Sequence, residues 1–160
     1  TKDMNVHEGN TAEHLILLAK NKAGYKNLIQ LDSMAFVDGF FYKPKIDYKV
    51  LKEHSEGVIC LSACLAGGIP RRLLAGDYEG AREMALYLKD IFGEDFYIEI
   101  QDHGIADERR VLPMLVKLAD EIGVELVATN DVHYLRKEDA EMQDVLLCIQ
   151  TKRRSTTQRE

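Results

Sequence analysis

The segment that decides the fold reads Val127-Ala128-Thr129-Asn130-Asp131-Val132-His133-Tyr134-Leu135. Its apolar start predicts a buried strand, and this strand ends directly in polar residues. Because sites in α/β proteins form just past the carboxyl ends of strands, Asp131 and His133 are candidate metal ligands or an acid/base pair. The alternative is a capped turn, in which Asp131 begins the next helix and His133 is packed or solvated.

The composition is that of an ordinary soluble globular protein. The 160 residues are 46% hydrophobic and 30% charged, which suits one domain with its own core. No apolar run approaches the ~20 residues that span a bilayer, and the N-terminal residues lack the apolar core of a signal peptide. Three irregularly spaced cysteines indicate a reducing compartment, so we expect a cytoplasmic protein with no membrane partner.

Charge and motifs exclude several classes of function. A net charge of −6 argues against tight autonomous DNA binding, but it is compatible with a site that meets DNA through metal ions. The sequence contains no P-loop, dinucleotide-binding glycine fingerprint, G-x-S-x-G elbow, C-x-x-C or H-E-x-x-H motif. Serine hydrolase, kinase and redox functions therefore have no support.

Strand-like and helix-like segments alternate along the chain. Predicted strands cover residues 14–19, 58–61 and 96–100, and a last one ends at Thr129. Predicted helices cover residues 23–36, 48–54, 69–75, 78–92, 107–122 and 137–149, with Asp47 and Asp77 as N-caps. Continuously apolar strands between helices imply an α/β fold with mostly parallel strands covered by helices, open or barrel-like.

Cys64 lies in a loop of small residues that follows the second predicted strand. If the strands are parallel neighbours, Cys64 meets the Asp131/His133 pair at one edge of the sheet. A thiolate, an imidazole and a carboxylate that converge there suit zinc or another divalent ion. Gly67 and Gly68 indicate close approach of the backbone, whereas a lone cysteine is often a small buried apolar residue.

Other candidate residues have simpler interpretations. His14 opens its strand, so strand geometry alone places it at the opposite edge of the sheet and favours a structural role. Asp102 is predicted to bond backbone in a turn that contains Gly104. Cys60 and Cys148 lie inside apolar runs and are predicted core residues.

Residues 39–47 are aromatic, basic and interrupted by proline. The rings at positions 40–42 precede Lys43 and Lys45, which could meet phosphate together with the arginines at positions 71 and 72. This basic patch is small, so we favour, over phosphate binding, the interpretation that the lysines and arginines are solvated and the aromatic turn is packed.

Several segments together resemble the polymerase and histidinol phosphatase (PHP) domain of the alpha subunits of bacterial DNA polymerase III. The resemblance covers nearly the whole chain in order and without large gaps. It is carried by residues His14–Asn21, Gly24–Leu28, Gly39–Asp47, Ser55–Leu65, Gln101–Gly104, Val127–Leu135 and Asp139–Thr151.

The resemblance implies part of a distorted (β/α)7 barrel whose strand ends bind divalent metal ions (zinc, manganese or magnesium). His14, Cys64, Asp131 and His133 match metal-ligand positions of the family. Alpha subunits with the full ligand set are associated with metal-dependent 3′–5′ exonuclease activity, a phosphoesterase reaction, whereas others keep the domain as a scaffold. The family's site also needs an H-x-H motif, which this chain lacks, so the implied metal centre is at most half present.

The resemblance also implies a domain organisation and partners. Residues 1–150 would form a partial PHP domain, and residues 151–160 a charged tail that starts the connection to the polymerase region. The parent would be a replicative DNA-directed DNA polymerase, a nucleotidyltransferase that binds DNA, other replicase subunits and the rest of the alpha subunit. A non-catalytic scaffold and a stand-alone PHP-family phosphatase are the alternatives. From the isolated segment we expect weak metal binding and negligible catalysis.

Overall fold

The computed structural model describes residues 12–152, and the chain divides into two compact units, residues 1–129 and 130–160. His7, whose polar surroundings predict a solvated side chain, lies outside the described residues, as do residues 153–160 of the predicted tail. Within the described part, no helix is long and apolar enough to cross a membrane.

The first unit alternates strands and helices in the predicted order. Its strands are β1 (Ile16–Ala19), β2 (Val58–Leu61), β3 (Phe96–Ile100) and β4 (Leu126–Ala128). Its helices are α1 (Lys22–Val37), α2 (Tyr48–Glu53), α3 (Gly68–Leu74), α4 (Tyr78–Phe92) and α5 (Ala106–Ile122). The predicted bounds agree with these to within two residues, and the α/β prediction is confirmed. The prediction that the last strand is buried is wrong, because β4 lies at the end of the strand order and its residues Leu126 and Ala128 are exposed.

Local capping explains where several of these helices begin and end. Asp47 caps α2 and Asp77 caps α4, and each carboxylate accepts a backbone N–H at 2.9 Å, as predicted. Asn21 caps α1 in the same way, at 3.0 Å. Helix α5 ends at Gly123, whose left-handed φ of 61° suits glycine.

The four strands form one sheet in the order β1-β2-β3-β4. Strands β2, β3 and β4 are parallel, as predicted, but β1 is antiparallel to β2. Ile16, the first residue of β1, pairs with Leu61, the last residue of β2. The start of β1 therefore lies at the same edge of the sheet as the carboxyl ends of the other three strands.

The hydrophobic core lies mainly on one face of this sheet, beneath the helices. Cys60 and Phe96 are paired in register, so their side chains share this face, and both are buried. Burial raises the pKa of the Cys60 thiol, and its prediction as a core residue is confirmed. Ile16 and Leu18 of β1 lie on the other face, where they stay 40% and 49% exposed.

The second unit contains a short 3-10 helix (Lys137–Asp139) and α6 (Ala140–Thr151). None of the residues of α6 is buried. Met142 and Leu146, one turn apart, are 65% and 58% exposed. The prediction that Cys148 is a core residue is wrong, because its side chain is only half-buried on this exposed helix.

The start of α1 packs against the turn before β2, and this contact leaves no room for a side chain. A Cβ on Gly24 would lie 1.7 Å from the carbonyl oxygen of Gly57. We expect Gly24→Ala to lower the free energy of unfolding by about 3 kcal/mol or more, because backbone must move on one side of the contact. Urea denaturation measures the loss.

Gly76→Ala is the matched control for this substitution. Gly76 has a φ of +80°, but a Cβ there would meet nothing within 4 Å. Its replacement should cost only about 1 kcal/mol, the strain of a left-handed non-glycine residue. Equal losses in the two variants would contradict the packing argument.

Candidate functional site

The loop that follows β2 is held in place by hydrogen bonds between Ser62 and the backbone of β3. The hydroxyl of Ser62 accepts the N–H of Glu99 at 2.9 Å, and the N–H of Ser62 donates to the carbonyl of Tyr97 at 3.1 Å. Ala63 then adopts a left-handed φ of 66°, which is a strained conformation for a residue with a Cβ. These features place Cys64, half-buried, at the end of the strand.

His14 is tied to the same loop through its backbone. Its N–H donates to the carbonyl of Ala66 at 3.1 Å, and His14 forms a parallel bridge with Gly67. Gly67 is required there, because a Cβ would lie 2.3 Å from the carbonyl oxygen of Ser62. The exposed imidazole of His14 is thereby held next to Cys64.

The Nδ1 atom of His14 lies 3.9 Å from the Sγ atom of Cys64. Two tetrahedral zinc ligands with Zn–S of about 2.3 Å and Zn–N of about 2.0 Å would have their donor atoms about 3.5 Å apart. An imidazole and a thiolate are also the ligand types that zinc prefers. The pair therefore fits a shared metal ion in both spacing and chemistry.

The placement of His14 at the opposite edge of the sheet, expected from strand geometry, is wrong. That expectation assumed that β1 runs parallel to β2, whereas the two strands are antiparallel. The antiparallel pairing brings the start of β1 to the loop of Cys64. His14 and Cys64 thus meet as the family resemblance implies, and their role as metal ligands stays a prediction.

Asp131 and His133 lie in the second unit, and both are exposed. Asp131 has a left-handed φ of 45°, and its carbonyl oxygen lies 2.7 Å from Nδ1 of His133. If Nδ1 donates this hydrogen bond, Nε2 carries the lone pair that a metal ion needs. Asp131 does not begin the next helix, so that part of the capped-turn alternative is wrong: the next helical turn begins only after Arg136, whose N–H donates to Asp139 at 3.0 Å. The exposure of His133 agrees with the other part of that alternative.

Residues 12–152 do not complete a metal site by themselves. Among them, no group of three or more His, Cys, Asp or Glu side chains lies close enough to hold a metal ion. The described part of the chain therefore offers ligand pairs and not a full coordination sphere.

The sequence reasoning missed a buried carboxylate at the end of β3. Glu99 is 5% exposed, and its Oε1 accepts hydrogen bonds from Thr129 and, at 2.9 Å, from Gln101. Its Oε2 has no partner among the described residues. A cavity of about 10 Å³, space for roughly one water molecule, is lined in part by Cys64 and Glu99. A charged residue inside the apolar run of β3 is the signal that could have identified it.

A second missed carboxylate, Glu108, fixes the turn after β3. It is 4% exposed and accepts both the backbone N–H of His103 at 2.7 Å and the ring Nδ1–H at 2.8 Å. Burial opposes the charged form of Glu108, but the bonds from His103 outweigh it and lower the pKa of the carboxyl. The predicted turn is confirmed, since Asp102 accepts the N–H of Gly104 at 3.2 Å.

Glu13, next to His14, is also held by long-range partners. Its Oε1 pairs with Arg72 at 3.0 Å, and its Oε2 accepts the hydroxyl of Tyr48 at 3.2 Å. Burial and the charge of Glu13 raise the pKa of Tyr48, so the phenol stays protonated and donates. Arg72 is therefore engaged with Glu13, which argues against its proposed role in a phosphate patch.

Comparison with known proteins gives a consistent assignment. The family model described as PHP domain matches residues 2–103. The DNA polymerase III subunit alpha of Borreliella burgdorferi is 51% identical over 143 residues, which is 89% of this chain and 12% of the relative. Those of Treponema pallidum and Thermus aquaticus are 51% and 46% identical, over 88% and 87% of this chain and 12% and 11% of their own length. The chain thus spans about an eighth of these relatives.

The pair of Glu108 and His103 generates a pH-dependent prediction. Glu108→Gln should lower the free energy of unfolding by about 1–3 kcal/mol at neutral pH, because the charged acceptor of two bonds is lost. The pKa of Glu108 lies below its ordinary 4.5, so its stabilisation is complete above that value and is lost as pH falls through the folded-state pKa. The difference in Tm between wild type and variant should therefore shrink on acidification.

Asp107→Asn is the control for this prediction. Asp107 lies in the same helical turn, but its side chain is 57% exposed and pairs with Arg110 only at 3.8 Å. This variant should change Tm little at any pH. If the Tm difference of Glu108→Gln did not depend on pH, its ionisation would not be the cause of the stabilisation.

Proposed function

Because this chain belongs to the PHP domain family, we propose that it is part of a DNA polymerase III alpha subunit and that its PHP region forms a metal-dependent phosphoesterase site. The observation that carries the proposal is the pair of His14 and Cys64, whose Nδ1 and Sγ atoms lie 3.9 Å apart. Relatives that bear the alpha-subunit name are up to 51% identical across 89% of the chain. The parent is then a DNA-directed DNA polymerase of the nucleotidyltransferase class.

We assign two ligand pairs, one in each compact unit. His14 and Cys64 supply an imidazole and a thiolate at the end of β2. Asp131 and His133 supply a carboxylate and a second imidazole in the turn after β4. The mixture suits zinc, and its oxygen and nitrogen donors also suit manganese or, for the carboxylate, magnesium.

The proposed reaction is hydrolysis of a phosphodiester at a DNA 3′ end. Bound divalent ions supply activation of a water molecule and neutralisation of charge on the phosphate. The residues of the chain would hold the ions, His14 as a neutral imidazole and Cys64 as a thiolate, because these are the forms in which the two side chains bind metal. The backbone of residues 62–67 keeps these two donors together at the edge of the sheet.

The scaffold function is the second candidate, and one observation favours it. Residues 12–152 bring no three suitable donors together, whereas a catalytic zinc site usually has three protein ligands and an open position, so a non-catalytic role for this region is the alternative. In either case DNA, the other replicase subunits and the rest of the alpha subunit are the proposed partners. A stand-alone phosphatase is disfavoured, because the relatives described above bear the name of a polymerase subunit.

Metal binding by the purified chain tests the proposal. Wild type titrated with Co²⁺ under reducing conditions should develop the near-ultraviolet absorption of a cobalt–thiolate bond, and Cys64→Ala should lose it. Elemental analysis after zinc loading should show less metal in Cys64→Ala/His133→Ala than in wild type. Cys148→Ala is the matched control, because this cysteine lies on α6 and outside both ligand pairs.

The same titration separates the candidate functions when combined with a nuclease assay on a full-length alpha subunit. Cys64-dependent metal binding with loss of 3′–5′ exonuclease activity in Cys64→Ala would support the enzymatic role. Metal binding that raises Tm, without any exonuclease activity, would support the scaffold. Cobalt absorption that persists in Cys64→Ala would contradict the assigned ligand pair.

A further inference from the structure

Four aromatic side chains are exposed around the turn that follows α1. Phe36, Phe40, Phe41 and Tyr42 are 55%, 54%, 42% and 86% exposed. The prediction of a packed aromatic turn is therefore wrong. We call residues Gly39–Lys45, together with Phe36, the aromatic turn.

Tyr42 lies at the tip of this turn in a strained conformation. The N–H of Phe41 donates to the carbonyl of Lys43 at 3.2 Å, and the N–H of Lys43 donates to the carbonyl of Phe41 at 2.7 Å. These bonds enclose Tyr42, whose φ is +58°. A three-residue turn with a positive central φ is rare and strained. Because the ring of Tyr42 is almost fully exposed, burial of that ring does not offset the strain.

The rings are arranged in two contacting pairs. Phe36 and Phe40 stack with centroids 6.3 Å apart and planes inclined by 22°. Phe41 and Tyr42 meet edge to face at 4.6 Å and 76°. Lys45 places its Nζ 5.8 Å from the centroid of Phe41. The turn thus presents several aromatic surfaces to solvent next to a cation.

The charge of this surface is positive, unlike that of the chain. Between Phe36 and Lys49 the charged residues are three lysines and two aspartates, Asp38, which is exposed, and Asp47. Asp47 is 8% exposed and accepts the N–H of Val50, so its carboxylate is turned into the fold. Lys43 and Lys49 are exposed. A polyanion is therefore the partner whose charge complements the aromatic turn.

We propose that the aromatic turn binds single-stranded nucleic acid, with its rings stacked on bases and Lys43 at the phosphates. Exposed aromatic side chains beside basic residues are the physical requirement for binding single strands, because every base offers a face for stacking. A strained, exposed tyrosine that contributes little to folding fits a residue kept for contact with a ligand. The choice of DNA over RNA rests on the proposed function, whereas the surface itself is independent of the metal ligands.

Fluorescence anisotropy with the full chain and a labelled oligothymidylate of about 12 nucleotides tests the proposal, since single-strand sites span about 4–16 nucleotides. Chelator in the buffer keeps the assay independent of metal binding. Tyr42→Gly should weaken binding about tenfold, the loss of one stacked base. It should leave Tm unchanged or raise it, because glycine relieves the strain at a positive φ.

Three further variants sharpen the test. Tyr42→Asn, which tolerates the left-handed conformation better than tyrosine, should weaken binding as Tyr42→Gly does. Lys43→Ala should weaken binding and reduce the dependence of affinity on salt by about one phosphate contact. Tyr25→Ala is the matched control, since Tyr25 is 61% exposed on α1 but outside the turn. It should bind like wild type.

Several outcomes would overturn the proposal. These are no measurable binding by wild type, equal weakening in Tyr25→Ala and Tyr42→Gly, or a loss of Tm in Tyr42→Gly that accounts for its weaker binding. Affinity that does not change with salt would also overturn it, because Lys43 would then make no contact with phosphate. Equal affinity for oligouridylate would support a nucleic-acid-binding surface but would contradict the choice of DNA over RNA. None of these results depends on whether Cys64 binds metal.

Discussion

The antiparallel pairing of β1 with β2 is the constraint on which the candidate metal pair depends. Because Ile16 pairs with Leu61, the residue two positions before β1 reaches the loop that carries Cys64. A strand of four residues is about 13 Å long, so a parallel β1 would place His14 and Cys64 beyond opposite ends of the strands, at least about that far apart. The direction of one short strand thus determines whether an imidazole and a thiolate can share an ion. The tight contact between Gly24 and Gly57 lies at the opposite end of the β1–β2 pair of strands.

Features that depend on near neighbours were predictable from the sequence, and strand direction was not. Asp47 and Asp77 cap helices through bonds to residues three positions along the chain, so a local pattern is enough to identify them. The apolar run of β1 predicts a strand, but the same run suits a parallel or an antiparallel neighbour. The position of His14 therefore needed either the fold itself or a resemblance to a family in which the fold is established.

The buried carboxylates escaped prediction for a related reason. Glu13 meets Arg72 across 59 residues, and Glu99 meets Thr129 across 30, so the partners that make burial tolerable are invisible to a short window of sequence. Burying a carboxylate without partners costs several kcal/mol, about the net stability of a small domain. These bonds therefore allow carboxylates to be buried near the edge of the sheet that carries Cys64. The Oε2 of Glu99 is the exception, since it has no partner among residues 12–152, and Glu99 lines the same small cavity as Cys64.

Net charge is a poor guide to what this chain can bind, because many of its acidic groups are engaged within the fold. Asp47 and Asp77 accept backbone N–H groups, Glu13 pairs with Arg72, and Glu108 pairs with His103. A total of −6 counts these carboxylates equally with exposed ones. The field that a ligand meets is set within about one Debye length, roughly 8–10 Å, by the groups left at the surface. Those groups include Lys43 in the aromatic turn and Lys49 shortly after it in the sequence, so a chain that is acidic overall can present a local surface suited to a polyanion.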